Sequence, residues 1–260
     1  MTTVDIQFSP ANTDWSTLRL AARTAEDRGY GALWVLDHLA GVPLGGTSMI
    51  EAFTLLGALA EATDRIELGT MVANAWNRQI GTLVSAIGSV ALIARRQVHF
   101  GVGAGAAPGS HWAAEQRAVD ASLEADLSLR QQRVADVLTL AAAEWADDRD
   151  ERFATFPLPR PRPTTIVGAN SEALCRLAGE RADGVNIVWR HARRDALIES
   201  ARDAAGTRQF SVSTYAVFDR GLLDPAHPDR VEMRERGVDR VVLAVFDDLA
   251  SWLDDDRSPA

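Results

Sequence analysis

The 260-residue chain is 47% hydrophobic and 24% charged, enough to bury one large core and short for two ordinary domains. All 27 of its basic residues are arginine, and without a lysine a Schiff-base aldolase, a lysine-bound pyridoxal phosphate and a Walker-type phosphate loop are excluded. A formal net charge of -9 predicts neither nucleic acid nor a membrane as partner, so an anionic ligand would need a local arginine cluster or backbone amides. Cys175 is the single cysteine, and the first residues lack a basic segment followed by an apolar run. Both features predict a cytoplasmic location, and no run reaches the roughly 18 apolar residues of a bilayer span.

Eight short apolar runs start near Val4, Ala32, Ile66, Val98, Thr164, Gly184, Phe210 and Arg240, with longer stretches of helical period between them. That alternation is the pattern of a parallel sheet wrapped by helices. Eight strands and the ~250-residue length typical of the fold predict an α/β protein, a single (β/α)8 TIM barrel over residues 1–253, with 254–260 as a disordered acidic tail. After the first run, Asp14 reads as an N-cap, Leu18, Ala21, Ala22 and Ala25 as one apolar face, and Gly29 as the stop. Ser48-Met49-Ile50-Glu51 reads as a capping box opening the second helix, which makes Glu51 a cap rather than an acid catalyst. A third helix is expected from about Gln79 to Ala94, and one or two more between Ser110 and Trp145. The proline-dense stretch from Phe156 to Pro163 forbids helix and predicts an extended connector.

A barrel of this kind places its site at the C-terminal ends of its strands, so the residues closing each run are the ones to weigh. They are Gln7 after the first run, Asp37 and His38 after the second, Thr70, Met71, Val72 and Asn74 after the third, and Gly103, Ala104 and Gly105 after the fourth. Gly168, Ala169 and Asn170 follow the fifth, Arg190 and His191 the sixth, Asp219 the seventh, and Asp247 and Asp248 the last. In Asp37-His38 an imidazole beside a carboxylate can donate, accept or stabilise charge near neutral pH, although such a pair is equally an ordinary turn. The five histidines have no zinc-like spacing, which predicts no catalytic metal. Gly101-Val102-Gly103-Ala104-Gly105 lacks the third glycine of a dinucleotide fingerprint; its glycines would admit a flat aromatic ligand or simply form a tight turn. Residues 168–172 lead into a helix and read either as a phosphate-binding turn or as a plain N-cap by Ser171. Arg190, Arg193 and Arg194 form a dense positive patch, a solvated helix start or an anion site.

Residues 25–38, 51–60, 63–72, 101–105, 166–170 and 178–186, taken in this order, resemble the luciferase-like flavin and deazaflavin enzymes, a barrel family that includes bacterial luciferase and the oxidoreductases dependent on coenzyme F420. The resemblance implies an oxidoreductase that moves a hydride between F420 and a small organic substrate, with FMN as the alternative cofactor of a luciferase-like monooxygenase. It places the ring on a bulge at Thr70, Met71, Val72 and Asn74, with a non-prolyl cis peptide at Met71-Val72. Asp37 and His38 fall beside the ring's reactive end, Gly103, Ala104 and Gly105 at the wall, and Gly168, Ala169 and Asn170 at the phosphate turn. Arg190, Arg193 and Arg194 would meet an anionic cofactor tail or a substrate phosphate, and a homodimer is implied. Two branches of the family carry a proton-donating Glu where this chain has Gln7 and Ala106, which disfavours their particular activities. A flavin- or F420-binding protein without turnover is the reading from another functional class.

Overall fold

The computed structural model describes residues 2–246 and 249–259. The apolar runs form eight strands: β1 (Thr3–Phe8), β2 (Ala32–Val35), β3 (Glu67–Asn74), β4 (Val98–Gly103), β5 (Thr164–Gly168), β6 (Gly184–Val188), β7 (Ser211–Val217) and β8 (Arg240–Val245). All neighbours pair in parallel and in sequence order, and β8 closes on β1 in a register running from Thr3 opposite Arg240 to Phe8 opposite Val245. Helices α1 (Trp15–Asp27), α2 (Ala52–Ala62), α3 (Ile80–Ala94), α4 (Ala114–Ala118), α5 (Leu127–Glu144), α6 (Glu172–Arg181), α7 (Arg194–Ala205), α8 (Pro228–Glu235) and α9 (Leu249–Asp254) lie in the intervals. This is the expected barrel.

Both strand faces are buried, which is why the runs are almost continuously apolar. Outward residues such as Ile6, Leu33, Val185, Val212 and Leu243 join the helices in the main core, whereas Ala32, Trp34, Met71, Ile166 and Val242 form a smaller cluster inside the barrel. The helix boundaries follow local chemistry. Asp14 caps α1 by accepting from the Thr17 amide at 2.9 Å, the four predicted apolar residues are buried, and Gly29 adopts φ +79° past its end.

The second helix differs from expectation: α2 starts at Ala52, and Glu51 is itself the N-cap, accepting from the Thr54 amide at 2.8 Å. Ser48 is committed to the preceding loop, its carbonyl lying against Gly41 where a Cβ would have no room. The interval after β4 holds α4 and α5, and residues 156–163 form the expected connector, with a cis peptide at Arg160–Pro161. At the C-terminal end α9 reaches Asp254, and Asp255 pairs with Arg220 at 2.9 Å. Asp247 and Asp248, expected to close the last strand, lie outside the described residues. Among the described residues no helix is long and apolar enough to cross a membrane.

Candidate active site

The mouth of the barrel is organised by an irregularity in β3. Thr70 pairs with Phe100 and Ala73 with Val102, so β3 carries one residue more than β4 and bulges inside the strand rather than after it. The Met71–Val72 peptide within the bulge is cis. The Met71 side chain turns into the barrel interior, and its carbonyl accepts from Gln7 Nε2 at 2.9 Å. The Tyr215 hydroxyl donates to Gln7 Oε1 at 2.6 Å, and burial holds this phenol well above its ordinary range. Gln7 is thus used at both ends of its amide, and a carboxylate in its place could not donate to Met71. The buried Thr70 hydroxyl is taken by the Gly101 carbonyl at 2.7 Å. Of Thr70, Met71 and Val72, only Val72 is open at the mouth. Its methyl groups sit where side chains on Gly103 and Gly168 would be, 2.6 and 2.7 Å from the two absent Cβ positions.

The structure separates Asp37 from His38. Asp37 is fully buried, accepts from the Asn74 amide at 2.8 Å and receives both arms of Arg78 at 2.8 and 2.9 Å. Arg78 also pairs with Glu51 and lies over the Phe53 ring at 4.7 Å. Burial opposes its charge, but Asp37 and Glu51 outweigh that and keep its pKa above the ordinary range. Asp37 is therefore not the carboxylate that serves His38, because its oxygens are occupied by the guanidinium. That carboxylate is Glu115, in α4, with Oε1 3.0 Å from His38 Nδ1. Glu115 Oε2 accepts from the amides of Leu39 at 2.8 Å and Ala40 at 3.1 Å. Burial alone would raise its pKa; the bonds from His38 and the two amides bring it below the usual glutamate value. The Trp112 ring stands 5.6 Å from the imidazole.

At the end of β5 the Ala169 amide donates to Asn186 and Asn170 is exposed. Ser171 caps α6 toward Leu174, and the first amides of the helix, Glu172 and Ala173, have no partner within it. The two readings of this turn are compatible, since the cap uses a different amide. Gly105 has φ +74°, and a Cβ there would lie 2.6 Å from Asn74 Oδ1, so the position requires glycine; that oxygen accepts from the Trp76 amide. Half-buried Ala104 packs on the main core.

The arginine patch is less free than expected. Arg190 pairs with Asp229, Arg193 with Glu172, and Arg194 with Asp195 and Glu232 while stacking 3.9 Å over Trp189. Each positive charge already has a carboxylate. Beyond the inward residues Asn186, Tyr215 and Ala244, the same faces of β6, β7 and β8 continue to Val188, Val217 and Phe246, which are 48%, 67% and 38% exposed and make that side of the mouth apolar. Among the described residues no group of three or more His, Cys, Asp or Glu could hold a metal ion.

Residues 2–218 match the sequence profile of the luciferase-like monooxygenases. The chain belongs to that family. It is 28% identical over 232 residues to a 5,10-methylenetetrahydromethanopterin reductase of Methanolobus tindarius, covering 83% of this chain and 65% of that one. An F420-dependent glucose-6-phosphate dehydrogenase of Microbacterium testaceum is 27% identical over 171 residues, 62% of this chain and 48% of the relative. The chain thus spans about half to two thirds of the length of these relatives. Its fold is similar to that of an F420-dependent secondary alcohol dehydrogenase in complex with an F420-acetone adduct, with a TM-score of 0.72 and 16% identity over 98% of this chain and 97% of the other. An EDTA monooxygenase from a Chelativorans species gives a TM-score of 0.66 at 14% identity, over 85% of this chain and 66% of the other.

In this luciferase-like barrel, then, His38, Val72, Gly103 and Gly168 gather at the mouth, while Asp37, Thr70, Met71 and Asn74 are turned to bonds that hold it. Three residues of the site, Glu115, Arg78 and Tyr215, were not foreseen. The inward phase of Tyr215 was available from the alternation of its strand. Glu115 had no comparable signal, because α4 has five residues and no periodicity to mark it.

Proposed function

We propose that this protein is an oxidoreductase that binds the deazaflavin F420 at the barrel mouth and transfers a hydride to or from a small organic substrate. The observation that carries the reading is the cradle formed by Gly103 and Gly168, which holds a half-exposed Val72 in a mouth otherwise lined by Val188, Val217 and Phe246, with His38 following the adjacent strand β2. A flat ring with apolar edges fits such a surface, and both the glucose-6-phosphate dehydrogenase and the secondary alcohol dehydrogenase that the chain resembles are F420-dependent. When bound, the deazaflavin supplies the hydride chemistry; the chain supplies the rest.

Val72 and the glycine cradle would support the ring, and the free amides of Glu172 and Ala173 at the start of α6 would take the phosphate. Arg193 adjoins that turn through its pair with Glu172, so an anion bound there would draw the guanidinium away from the carboxylate. His38, whose side chain is 18% exposed, is the group that accepts or returns a proton as the substrate changes oxidation state. Apolar walls exclude water and orient the substrate.

Titration of the purified protein with F420 and with FMN, followed by fluorescence, tests the cofactor. F420 is expected to bind more tightly, and tighter FMN binding would move the protein to the monooxygenase reading. Reduced cofactor on the protein should be reoxidised by at least one enone, imine or quinone faster than free cofactor is. His38→Ala should lower that rate by about 10²–10⁴ with cofactor affinity retained. Tight binding without acceleration across such a panel would make the protein a carrier.

A further inference from the structure

We infer that Glu115 is a positioning residue for His38, fixing the imidazole with Nδ1 protonated and bonded inward and Nε2 presented to the mouth as a lone pair. The inference builds on the assignment of His38 as the proton-handling group and adds the atom at which that proton moves. Glu115 Oε1 lies 3.0 Å from His38 Nδ1, and the Glu115 side chain is 1% exposed. Its other oxygen is anchored by the amides of Leu39 and Ala40, the two residues that follow His38. Gln116 Nε2 adds a further donor to Oε1 at 3.0 Å. Four donors thus converge on one carboxyl group, which stabilises its ionised form and leaves it no proton to give. The proton between Glu115 and His38 must therefore sit on Nδ1, and the neutral imidazole carries its lone pair on Nε2.

The carboxylate is tied to the turn that bears the imidazole, so ring and partner move as one body. Trp112 stands at the flank of the ring. His38 consequently receives a proton at Nε2 and returns it from the same atom, without rotating. Nδ1 takes no part in the exchange. A Glu115 that served only to hold residues 39 and 40 would leave the tautomer of His38 free.

The test is imidazole 15N NMR on cofactor-free protein labelled in histidine. At a pH where His38 is neutral, its Nδ1–H tautomer is expected to predominate, the reverse of a free histidine side chain in water. Glu115→Gln keeps an acceptor for the Leu39 and Ala40 amides but removes the charge, and should shift the tautomer ratio toward Nε2–H by on the order of tenfold or more. Two results would overturn the inference: a predominant Nε2–H tautomer in the wild type, or an unchanged ratio in a Glu115→Gln protein whose other amide signals match the wild type. If the variant does not fold, the wild-type tautomer decides by itself. Because no cofactor is in the sample, failure of the F420 assignment leaves this measurement intact, and failure of the tautomer leaves the F420 titration intact.

Discussion

Gly103 and Gly168 are glycines because Val72 needs their space. A methyl group on either would stand 2.6 or 2.7 Å from a Val72 methyl, and a β-branched side chain has little freedom at χ1 to withdraw. Gly168→Ala should therefore destabilise the protein by about 1–3 kcal/mol, the usual cost of overpacking. Adding Val72→Ala should recover most of that loss in urea denaturation; a loss equally large in the double variant would place the strain elsewhere. Gln7 follows the same logic of local fit. Its amide both donates to Met71 and accepts from Tyr215, which gives this position a role that an acid could not fill while ionised.

Between elements, the strongest tie near the site is the clamp of Asp37 and Arg78. It joins the chain after β2 to the Asn74 amide at the end of β3, to the segment entering α3, and through Glu51 to the cap of α2. Arg78→Leu would leave the fully buried Asp37 carboxylate with the Asn74 amide and no countercharge. Breaking a buried pair in this way costs about 3–5 kcal/mol, whereas Glu51→Gln, at a carboxylate 41% exposed, should cost less than about 1 kcal/mol. Equal effects of the two substitutions in chemical denaturation would refute the hierarchy. The clamp also accounts for the start of α2: with Glu51 held by Arg78 and capping Thr54, the helix has no need of Ser48.

For the whole molecule, the end of the barrel opposite the mouth is closed by a charge network. Arg240 of β8 meets Asp5 of β1 at 2.8 and 3.0 Å and Glu67 of β3 at 2.7 Å. His99 of β4 meets Glu67 at 2.9 Å, and the Trp34 indole of β2 donates to Asp5 at 3.0 Å. Five of the eight strands share it, including both sides of the closing seam. Burial would raise the Glu67 pKa, but His99 and Arg240 prevail and bring it below the ordinary value of 4.5. A depressed carboxyl stabilises the fold above its unfolded pKa and loses that contribution as pH falls through its folded value. The melting temperature should accordingly fall as the pH is lowered below about 4.5, and Glu67→Gln should reduce that dependence. A variant with the same acid profile as the wild type would remove Glu67 from the account.

The strand order and the buried face and cap of α1 were readable in the chain, because a period of two, a period near 3.6 and a cap three residues from its amide are local relations. The family resemblance added the bulge and the cis peptide at Met71–Val72. The partners of the charged residues were not readable. Asp37 finds Arg78 across 41 positions, His38 finds Glu115 across 77, and Asp5 finds Arg240 across 235. Asp37 and His38 are neighbours in the chain, yet Asp37 turns to Arg78, and the closed barrel brings a different carboxylate to the imidazole. Charge has no sequence period, and its pairing follows from which strand ends and loops the closure of the sheet makes neighbours.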